Sequence, residues 1–513
     1  MAPLSQSENT ATVSAPNRTQ HRIWLLRGLS ILCGLSLFVF LELACWLLGV
    51  GENRLEDDPF VGFSNLQPLF EKDSSGDHFV TAKSRLKFFR PEEFASSKPI
   101  GTRRIFCLGG STVQGRPFAN ETSFTTWLEL ALEQADPAQT WEVINCGGIS
   151  YASYRLVPIL QECLGYQPDA FIICTGHNEF LEDRSYGQLR ETSPLITGAF
   201  HELSQFRSFR LLRGMLQSDS VAEDRSRDML GSDVDAFLDY KNGIAAYHRD
   251  ENWRRGVIAH FESNLERMVS LTQQAGVPII LVRPPSNLAD SPPFKSEHRL
   301  DITPEELSDW QATIDDAKTT LKRLPAAAVD SFNKAISIDD AYAQTHFELG
   351  RLLELTGDFD AARREFMLAR EHDICPLRIL APMEKSLESV AARNDVPLLD
   401  AHLLLEKQTR HGILDSSMLV DHVHPSFDGH QQIALTLVES LQAISFVSPA
   451  NDDWQHQAKV AFKNHFDQLP DVYFAKGEQN LANLRYWTQG MADGPPVESR
   501  PRQKAMSRRQ GRP

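Results

Sequence analysis

From residue 103 onward, short apolar segments alternate with segments that have helical periodicity. The apolar segments are RRIFCLGG, WEVINCGG, DAFIICTG, VPIILVRPP and VPLLDA, and amphipathic patterns such as NWRRGVIAHFESNLERMVSLTQQAG separate them. Short continuous apolar strands joined by helices are typical of a parallel sheet that helices cover on both faces. The sequence therefore predicts a three-layer α/β fold, and ligands of such a sheet bind at the carboxyl ends of its strands.

Candidate functional residues follow three of these strands. Ser111 follows the first strand, Gly148 the second and Asn178 the third. Closer to the C-terminus, DHVHPSFDGH places Asp421 three residues before His424, just ahead of a helical pattern. A carboxylate at this spacing can orient one imidazole nitrogen and leave the other free as a base, which is its role in a Ser–His–Asp triad. The Asn178 amide and backbone N–H groups near Gly148 are candidate donors to an oxyanion.

Two of these segments also have another interpretation. The sequence GGST at residues 109–112 fits an ordinary turn at a strand end, and it matches neither the G-x-S-x-G elbow nor a phosphate-binding loop. The histidines at 422, 424 and 430 leave a metal-dependent hydrolase open as an alternative, which would need further ligands from elsewhere in the chain.

Taken together, four short blocks of the chain resemble the SGNH, or GDSL, hydrolases. LGGST matches the block of the nucleophile with Gly110 in place of the usual Asp, GHNE matches the third block with Glu179 in place of Asp, and DHVH fits the fourth block fully. The second block, NCGGIS, is ambiguous, because Gly148 lies near the expected position and a gapless match selects Ser150. The resemblance covers about residues 100–180, 253–290 and 390–445.

The resemblance implies a reaction and a set of roles. Ser111 would attack an ester carbonyl, His424 would take and return the proton, and Asp421 would hold the imidazole. The backbone N–H of Ser111, a backbone N–H at Gly148 and the Asn178 amide would form the oxyanion hole, and neither a metal nor an organic cofactor is expected.

A helical segment interrupts the α/β pattern at residues 301–376. Its small and aromatic residues recur with a spacing of 34: Ala328, Phe332 and Ala335 reappear as Ala362, Phe366 and Ala369. This is the period of tetratricopeptide repeats. Two repeats are too few to be stable alone, so we expect them to pack on the hydrolase-like region, where they could also bind a protein partner.

The N-terminal region contains one long apolar segment, GLSILCGLSLFVFLELACWLLGV at residues 28–50. Its length predicts a transmembrane helix, and the arginines that precede it predict a cytoplasmic N-terminus with the remainder outside the cytoplasm. A cleaved signal peptide is the alternative, but no A-x-A site ends the segment. Glu42 within it is costly unless it has a partner.

The predicted organisation has seven parts, one of them in two segments: a disordered cytoplasmic segment (1–27), a transmembrane helix (28–50), a connecting segment (51–102), the hydrolase-like region (103–300 and 377–446), the inserted repeats (301–376), C-terminal helices (447–490) and a disordered tail (491–513). The net charge of −16 argues against a nucleic-acid partner. The sequence thus predicts a membrane-anchored esterase or acyltransferase acting on an acylated glycan or lipid. The alternative is a catalytically idle scaffold whose repeats bind a partner.

Overall fold

The computed structural model describes residues 18–48, 58, 60–64, 66–184, 207–209, 211, 228–231, 233–236, 238 and 243–491. The chain divides into two compact units, one of residues 1–52 with 192–225 and one of residues 53–191 with 226–513. The expected disordered ends lie outside the described residues, except that residues 18–27 and Met491 are helical.

The first unit contains helix α1, Arg18–Leu47. Within the described residues, no helix combines the length and the apolar character that crossing a membrane requires. The predicted transmembrane helix at 28–50 is therefore not confirmed. Glu42 does have partners in this unit, because its carboxylate accepts hydrogen bonds from the backbone N–H groups of Arg207 (3.0 Å) and Ser208 (2.7 Å).

The second unit contains the described strands and most of the described helices. The strands are β1 Val61–Phe63, β2 Phe70–Lys72, β3 His78–Thr81, β4 Glu93–Ala95, β5 Thr102–Gly109, β6 Thr140–Gly147, β7 Ala170–Cys174, β8 Asp228–Leu230, β9 Ile279–Arg283 and β10 Leu398–Asp400. The helices are α2 Ser111–Gln114, α3 Phe124–Ala135, α4 Ser153–Cys163, α5 Glu251–Gln274, α6 Pro304–Leu321, α7 Pro325–Ile338, α8 Ala343–Thr356, α9 Phe359–Glu371, α10 Ala381–Asn394, α11 Ala401–Glu406, α12 Phe427–Ala443, α13 Trp454–Gln468 and α14 Asp471–Met491.

The five strands predicted from the apolar segments form one parallel sheet in the order β10-β9-β7-β5-β6. Strand β5, which comes first in the chain among these five, thus lies between β6 and β7, which come second and third. Gly109 at the end of β5 is level with Gly147 of β6 and Cys174 of β7. Because the chain order reverses at β5, the crevice between the ends of β5 and β7 is the point where such sheets bind their ligands.

Alternate side chains of each strand pack into two different cores. On one face, Ile105 and Cys107 of β5 pack in a buried cluster with Trp127 of α3 and with residues of α12 and α13. On the other face, Phe106 and Leu108 pack with residues of α4, α5 and α10. Both faces of the sheet are therefore covered by helices, as the continuous apolar strands predict.

The segment before β5 contains strands that the sequence analysis does not predict. Strands β2, β3 and β4 form an antiparallel sheet, and β1 pairs in parallel with β8. These strands have three or four residues each, which is too short for an alternating pattern to be recognised.

The inserted segment contains two helical hairpins, α6–α7 and α8–α9, and the residues that repeat in the sequence are buried in α7 and α9. Phe332 belongs to a cluster formed only by residues of the insertion, such as Trp310 and Leu349. Phe366 belongs to a cluster that also contains Leu288 and Ala289 from the segment after β9. The second hairpin therefore packs on the α/β region, whereas the first packs mainly on the second.

Candidate active site

Ser111 lies at the first position of α2, directly after the end of β5. The turn that carries it is fixed by two side chains that donate to the carbonyl oxygen of Val113, namely Asn145 Nδ2 (2.7 Å) and Ser123 Oγ (2.6 Å). A Cβ atom on Gly147 would lie 2.2 Å from the backbone nitrogen of Gln114, so only glycine at the end of β6 lets this turn approach so closely. The apolar strand followed by small residues thus places a partly exposed hydroxyl at the carboxyl end of the sheet.

The structure brings Ser111, His424 and Asp421 together in a row. Ser111 Oγ lies 2.7 Å from His424 Nε2, and His424 Nδ1 lies 2.6 Å from Asp421 Oδ2. An ionised carboxylate only accepts hydrogen bonds, so Nδ1 carries the imidazole proton and Nε2 is free to accept from the hydroxyl.

Asp421 is held as a carboxylate by its surroundings. Burial by itself would raise the pKa of this group, but the neighbouring imidazoles of His424 and His422 and hydrogen bonds from His424 lower it well below its usual value. Its Oδ1 atom also accepts from the backbone N–H groups of Val423 (2.9 Å) and His424 (2.8 Å). The D-x-x-H spacing therefore folds into a loop in which one carboxylate orients both the backbone and the imidazole.

Asn178 lies after β7 with its side-chain amide beside the nucleophile turn. Asn178 Nδ2 donates to the carbonyl oxygen of Tyr151 at 2.9 Å, which uses one of its two N–H bonds. A Cβ atom on Gly110 would lie 2.6 Å from the same nitrogen. Glycine at position 110 is therefore what allows the Asn178 amide to lie against the base of the turn.

The structure distinguishes the backbone N–H groups of Gly148 and Ser150, the two candidate donors of the second block. The N–H of Gly148 donates to the carbonyl oxygen of Gly109 at 3.0 Å, as part of the pairing between β5 and β6. Ser150 instead has a left-handed backbone with a φ of 64°, and its N–H has no acceptor among the described residues. The gapless match of the second block, which selects Ser150, gives the residue with the available N–H.

Glu179, which departs from the family pattern, has a structural role. Its buried carboxylate accepts from the backbone N–H of Ser153 (2.7 Å) and from its hydroxyl (2.9 Å) at the start of α4. Burial raises the pKa of this carboxyl, and hydrogen bonds from Ser153 and the charge of Arg184 partly offset the rise. This side chain thus ties the segment after β7 to the helix after β6.

The other histidines of the region do not converge with His424 on a metal site. His430 Nδ1 accepts from the N–H of Phe124 at 3.2 Å, and burial lowers the pKa of His430 to about 3. Burial also lowers the pKa of His422 to about 4, although Asp421 opposes the shift. Within the described part of the chain, no group of three His, Cys, Asp or Glu residues has a geometry that could hold a metal ion.

Sequence reasoning missed one histidine beside the triad. His177 is buried, and its Nδ1 accepts from the N–H of Ile379 at 3.1 Å. Burial and the nearby His422 and His424 lower the pKa of His177 well below its usual value, so this ring is neutral with its proton on Nε2. His177 and Ile379 are about 200 positions apart in the chain, so nothing in the sequence indicates this buried contact.

Three arginines near the triad were also missed. Arg116 follows the nucleophile turn, Arg485 lies in α14, and Arg90 precedes the strand β4. The Nε of Arg485 donates to the carbonyl oxygen of Val420 at 3.0 Å, and both Arg116 and Arg485 interact electrostatically with Asp421. Since these positions are far apart in the chain, only the fold brings them together.

Comparison with known proteins gave matches among solved structures alone: no family model and no curated protein matches the chain. The similar structures include Axe2, an acetylxylan esterase from Geobacillus stearothermophilus, at 12% identity and a TM-score of 0.30, with 67% of this chain and 96% of that chain covered. They also include a G-D-S-L family lipolytic protein from Desulfitobacterium hafniense, at 10% identity and a TM-score of 0.29 over 66% and 99%. A lipase/acylhydrolase from Enterococcus faecalis is similar at 14% identity and a TM-score of 0.30 over 68% and 99%. Because these identities and TM-scores are low, no role is transferred from these proteins to residues of this chain.

Proposed function

We propose that the chain is an ester hydrolase of the serine type, with Ser111 as nucleophile, His424 as general base and Asp421 as the orienting carboxylate. The observation that supports this most directly is the unbroken pair of hydrogen bonds, 2.7 Å from Ser111 to His424 and 2.6 Å from His424 to Asp421. A hydrogen-bonded row of this kind at the switch point of a parallel sheet has both the chemistry and the position that acyl transfer needs.

In the proposed reaction, Ser111 Oγ attacks the ester carbonyl while its proton passes to His424 Nε2. The tetrahedral intermediate collapses, the alcohol leaves with that proton, and an acyl-enzyme remains. Water then attacks the acyl group, gives a proton to His424, and releases the carboxylic acid as Ser111 regains its proton. An alcohol in place of water would make the same site an acyltransferase.

The negative charge of the tetrahedral intermediate would be stabilised by three donors. These are the backbone N–H of Ser111, the backbone N–H of Ser150 and the second N–H of Asn178 Nδ2. The proposal for Ser150 is supported by its left-handed backbone and by the absence of an acceptor for its N–H among the described residues. Removal of one such donor typically lowers kcat about 100- to 1000-fold.

The substrate is proposed to be an acyl ester, with an acetylated glycan or a lipid ester as the two classes that the family resemblance suggests. No cofactor is required by these steps. The inserted repeats leave an alternative in which the site is idle and the repeats bind a protein partner, and a direct assay separates the two.

The test is hydrolysis of 4-nitrophenyl acetate by the full chain and by Ser111→Ala and His424→Ala. We expect kcat/KM to fall about 10,000-fold in both variants. His456→Ala is the matched control, because His456 is exposed on α13 and should leave turnover unchanged. A fluorophosphonate probe should label the parent protein at Ser111 and spare Ser111→Ala. Equal turnover in all four proteins, or no labelling of Ser111, would refute the proposal and leave the idle scaffold.

A further inference from the structure

Arg116 and Arg485 lie beside the triad, and Arg90 interacts electrostatically with Arg116. The backbone N–H of Arg116 donates to the carbonyl oxygen of Ser111 at 3.1 Å. Arg116 comes two residues after α2 ends, and its charge interacts with Asp421, His422 and Arg90. Burial, and to a smaller extent the charge of Arg90, lowers the pKa of Arg116, whereas Asp421 raises it. Arg485 reaches the same loop from α14, since its Nε donates to the carbonyl of Val420, the residue before Asp421.

Two of these arginines lack a counter-ion in the part of the chain that the structure describes. Neither Arg90 nor Arg116 forms an ion pair or a side-chain hydrogen bond with another described residue, and the Nε atom of Arg90 is buried without an acceptor. Asp421, whose charge raises the pKa of Arg116, is already bonded to His424 and to two backbone N–H groups.

Three buried arginines of the same unit are paired with carboxylates, whereas the buried Arg85 packs over the rings of Phe89 and Tyr151. The pairs are Arg104 with Glu142 (2.6 Å), Arg155 with Glu182 (2.6 Å) and Arg370 with Glu384 (2.7 Å). The chain has 68 acidic residues against 52 basic ones, so acidic partners are not scarce. Two adjacent, partly buried guanidinium groups without a carboxylate repel each other and are costly, and such departures concentrate at functional sites.

We propose that Arg116, together with Arg90 and Arg485, binds an anionic group of the ester substrate, a carboxylate or a phosphate carried close to the scissile bond. This inference rests on the proposed function of the triad. It narrows the substrate class to acyl esters of alcohols that carry a carboxylate or a phosphate, such as an acylated acidic saccharide or an acylated phosphate-bearing alcohol. Planar guanidinium groups bind carboxylate and phosphate through paired N–H donors. A local positive site would also attract such substrates to a protein whose net charge is −16.

The experiment compares matched acetyl esters with the full chain: methyl 4-acetoxybenzoate, which is neutral, 4-acetoxybenzoate and 4-acetoxyphenyl phosphate. Each kcat/KM is divided by the rate of hydroxide-catalysed hydrolysis of the same ester. We expect the parent protein to prefer one or both anionic esters by about 10-fold or more, and we expect 0.5 M NaCl to reduce that preference. The better anionic ester identifies the charged group as a carboxylate or a phosphate.

Arg116→Gln should lose about 10- to 100-fold in kcat/KM on the preferred anionic ester and less than about 2-fold on the neutral one. Arg116→Lys should recover part of the loss because it keeps the charge. Arg103→Gln is the control, since Arg103 lies at the opposite end of β5 with its guanidinium over the ring of Phe446. The melting temperature of Arg116→Gln should not fall, because no described partner is lost.

Equal normalised rates on all three esters, or an equal loss on all three in Arg116→Gln, would overturn the anion site while leaving the triad standing. If Ser111→Ala hydrolyses the esters as well as the parent protein, the proposed function fails instead. Whether the anion site exists is then tested by the change in melting temperature that inorganic phosphate or benzoate produces in Ser111→Ala. A shift that the additional change Arg116→Gln removes would support the site, and no shift would overturn it.

Discussion

At Gly110, the absence of a side chain makes room for the side-chain amide of Asn178. The family pattern places an aspartate here, yet a Cβ atom at this position would lie 2.6 Å from Asn178 Nδ2. Gly110 has a φ of −86°, which any residue can adopt, so the need for glycine is one of space and not of backbone conformation. The close approach of Asn178 therefore depends on the absence of a side chain at position 110, where the family pattern has an aspartate.

The residue-scale prediction is that Gly110→Ala lowers kcat for 4-nitrophenyl acetate about 10- to 100-fold with little change in KM. The added methyl group displaces the Asn178 amide, so a donor used mainly in the transition state is weakened. Gly165→Ala is the matched control, because a Cβ at Gly165 would meet nothing within 4 Å. The prediction fails if Gly110→Ala retains full kcat, or if both variants lose it equally.

Ser150 illustrates what residue patterns leave undetermined at this scale. The sequence NCGGIS supplies two adjacent glycines, and a glycine is the expected residue for an unusual turn. In the structure the left-handed φ belongs to Ser150, while Gly148 continues the pairing of β6 with β5. Which backbone N–H of this segment is left without an acceptor depends on where the strand pairing ends, and residue types alone do not determine that point.

At the scale of elements, the five strands and the helices between them could be predicted because continuous apolar segments and 3.6-residue periodicity are local signals. The order β10-β9-β7-β5-β6 could not be derived in the same way, since it depends on which helix packs on which face. The position of Ser111 and Asn178 on either side of the switch point follows from that order. The strands β2, β3 and β4 were missed because three or four residues carry too little pattern.

The two helical hairpins of the insertion differ in their packing, because the buried cluster of Phe366 includes residues of the α/β region and the cluster of Phe332 does not. Leu288 and Ala289, which share a buried cluster with Phe366, directly follow Asn287 in the segment after β9. Asn287 donates from Nδ2 to the carbonyl of Asp421 at 3.0 Å and from its backbone N–H to the carbonyl of His422 at 2.9 Å. A route of direct contacts thus joins the second hairpin to the loop that carries the triad.

The element-scale prediction compares the equivalent residues Phe366→Ala and Phe332→Ala. Each replaces a fully buried phenylalanine and should lower the free energy of unfolding of its own cluster by about 3 to 5 kcal/mol. Only Phe366→Ala should also lower kcat, because it loosens the segment that holds Asp421. Unfolding in urea and esterase kinetics would be measured for both. Equal effects of the two variants on kcat would contradict the proposed route.

At the scale of the whole molecule, local patterns and long-range contacts contribute differently to what can be predicted. The proximity of Ser111, His424 and Asp421 was predictable because each of them lies in a short block next to a strand end or a helix start. The arginines at 90, 116 and 485 were not, because each lies in an unremarkable segment and only the complete fold makes them neighbours. The location of the catalytic region outside the cytoplasm stays a prediction, which a reporter fused to the C-terminus would test.

Two carboxyl groups, those of Glu129 and Glu92, lie near the last strand at one side of the sheet. Strand β6 is at the end of the sheet, and Glu129 Oε2 accepts from the backbone N–H of Val143 in this strand at 2.8 Å. Glu92, whose Oε1 accepts from Asn120 Nδ2 at 2.5 Å, lies next to it. Burial and, to a smaller extent, neighbouring carboxylates together raise the pKa of Glu92 to about 8 and that of Glu129 to about 7.

These shifts predict that the protein loses stability as the pH rises. An unfolded glutamate ionises near pH 4.5, whereas the folded protein holds the proton of Glu92 up to about pH 8. Between these values the unfolded state binds fewer protons than the folded state, so the free energy of unfolding is highest below pH 4.5 for this group and falls until about pH 8.

Glu92→Gln mimics the protonated carboxyl at every pH and can still accept the hydrogen bond from Asn120. We therefore expect it to raise the free energy of unfolding by about 1 to 2 kcal/mol at pH 9 and to leave it nearly unchanged at pH 5, as measured by urea unfolding. Glu388→Gln, at an exposed position of α10, is the control and should change stability little at either pH. Stabilisation of the same size at both pH values would show that the effect comes from packing and not from the retained proton. Destabilisation at pH 9 would mean that the ionised carboxylate is needed at the edge of β6.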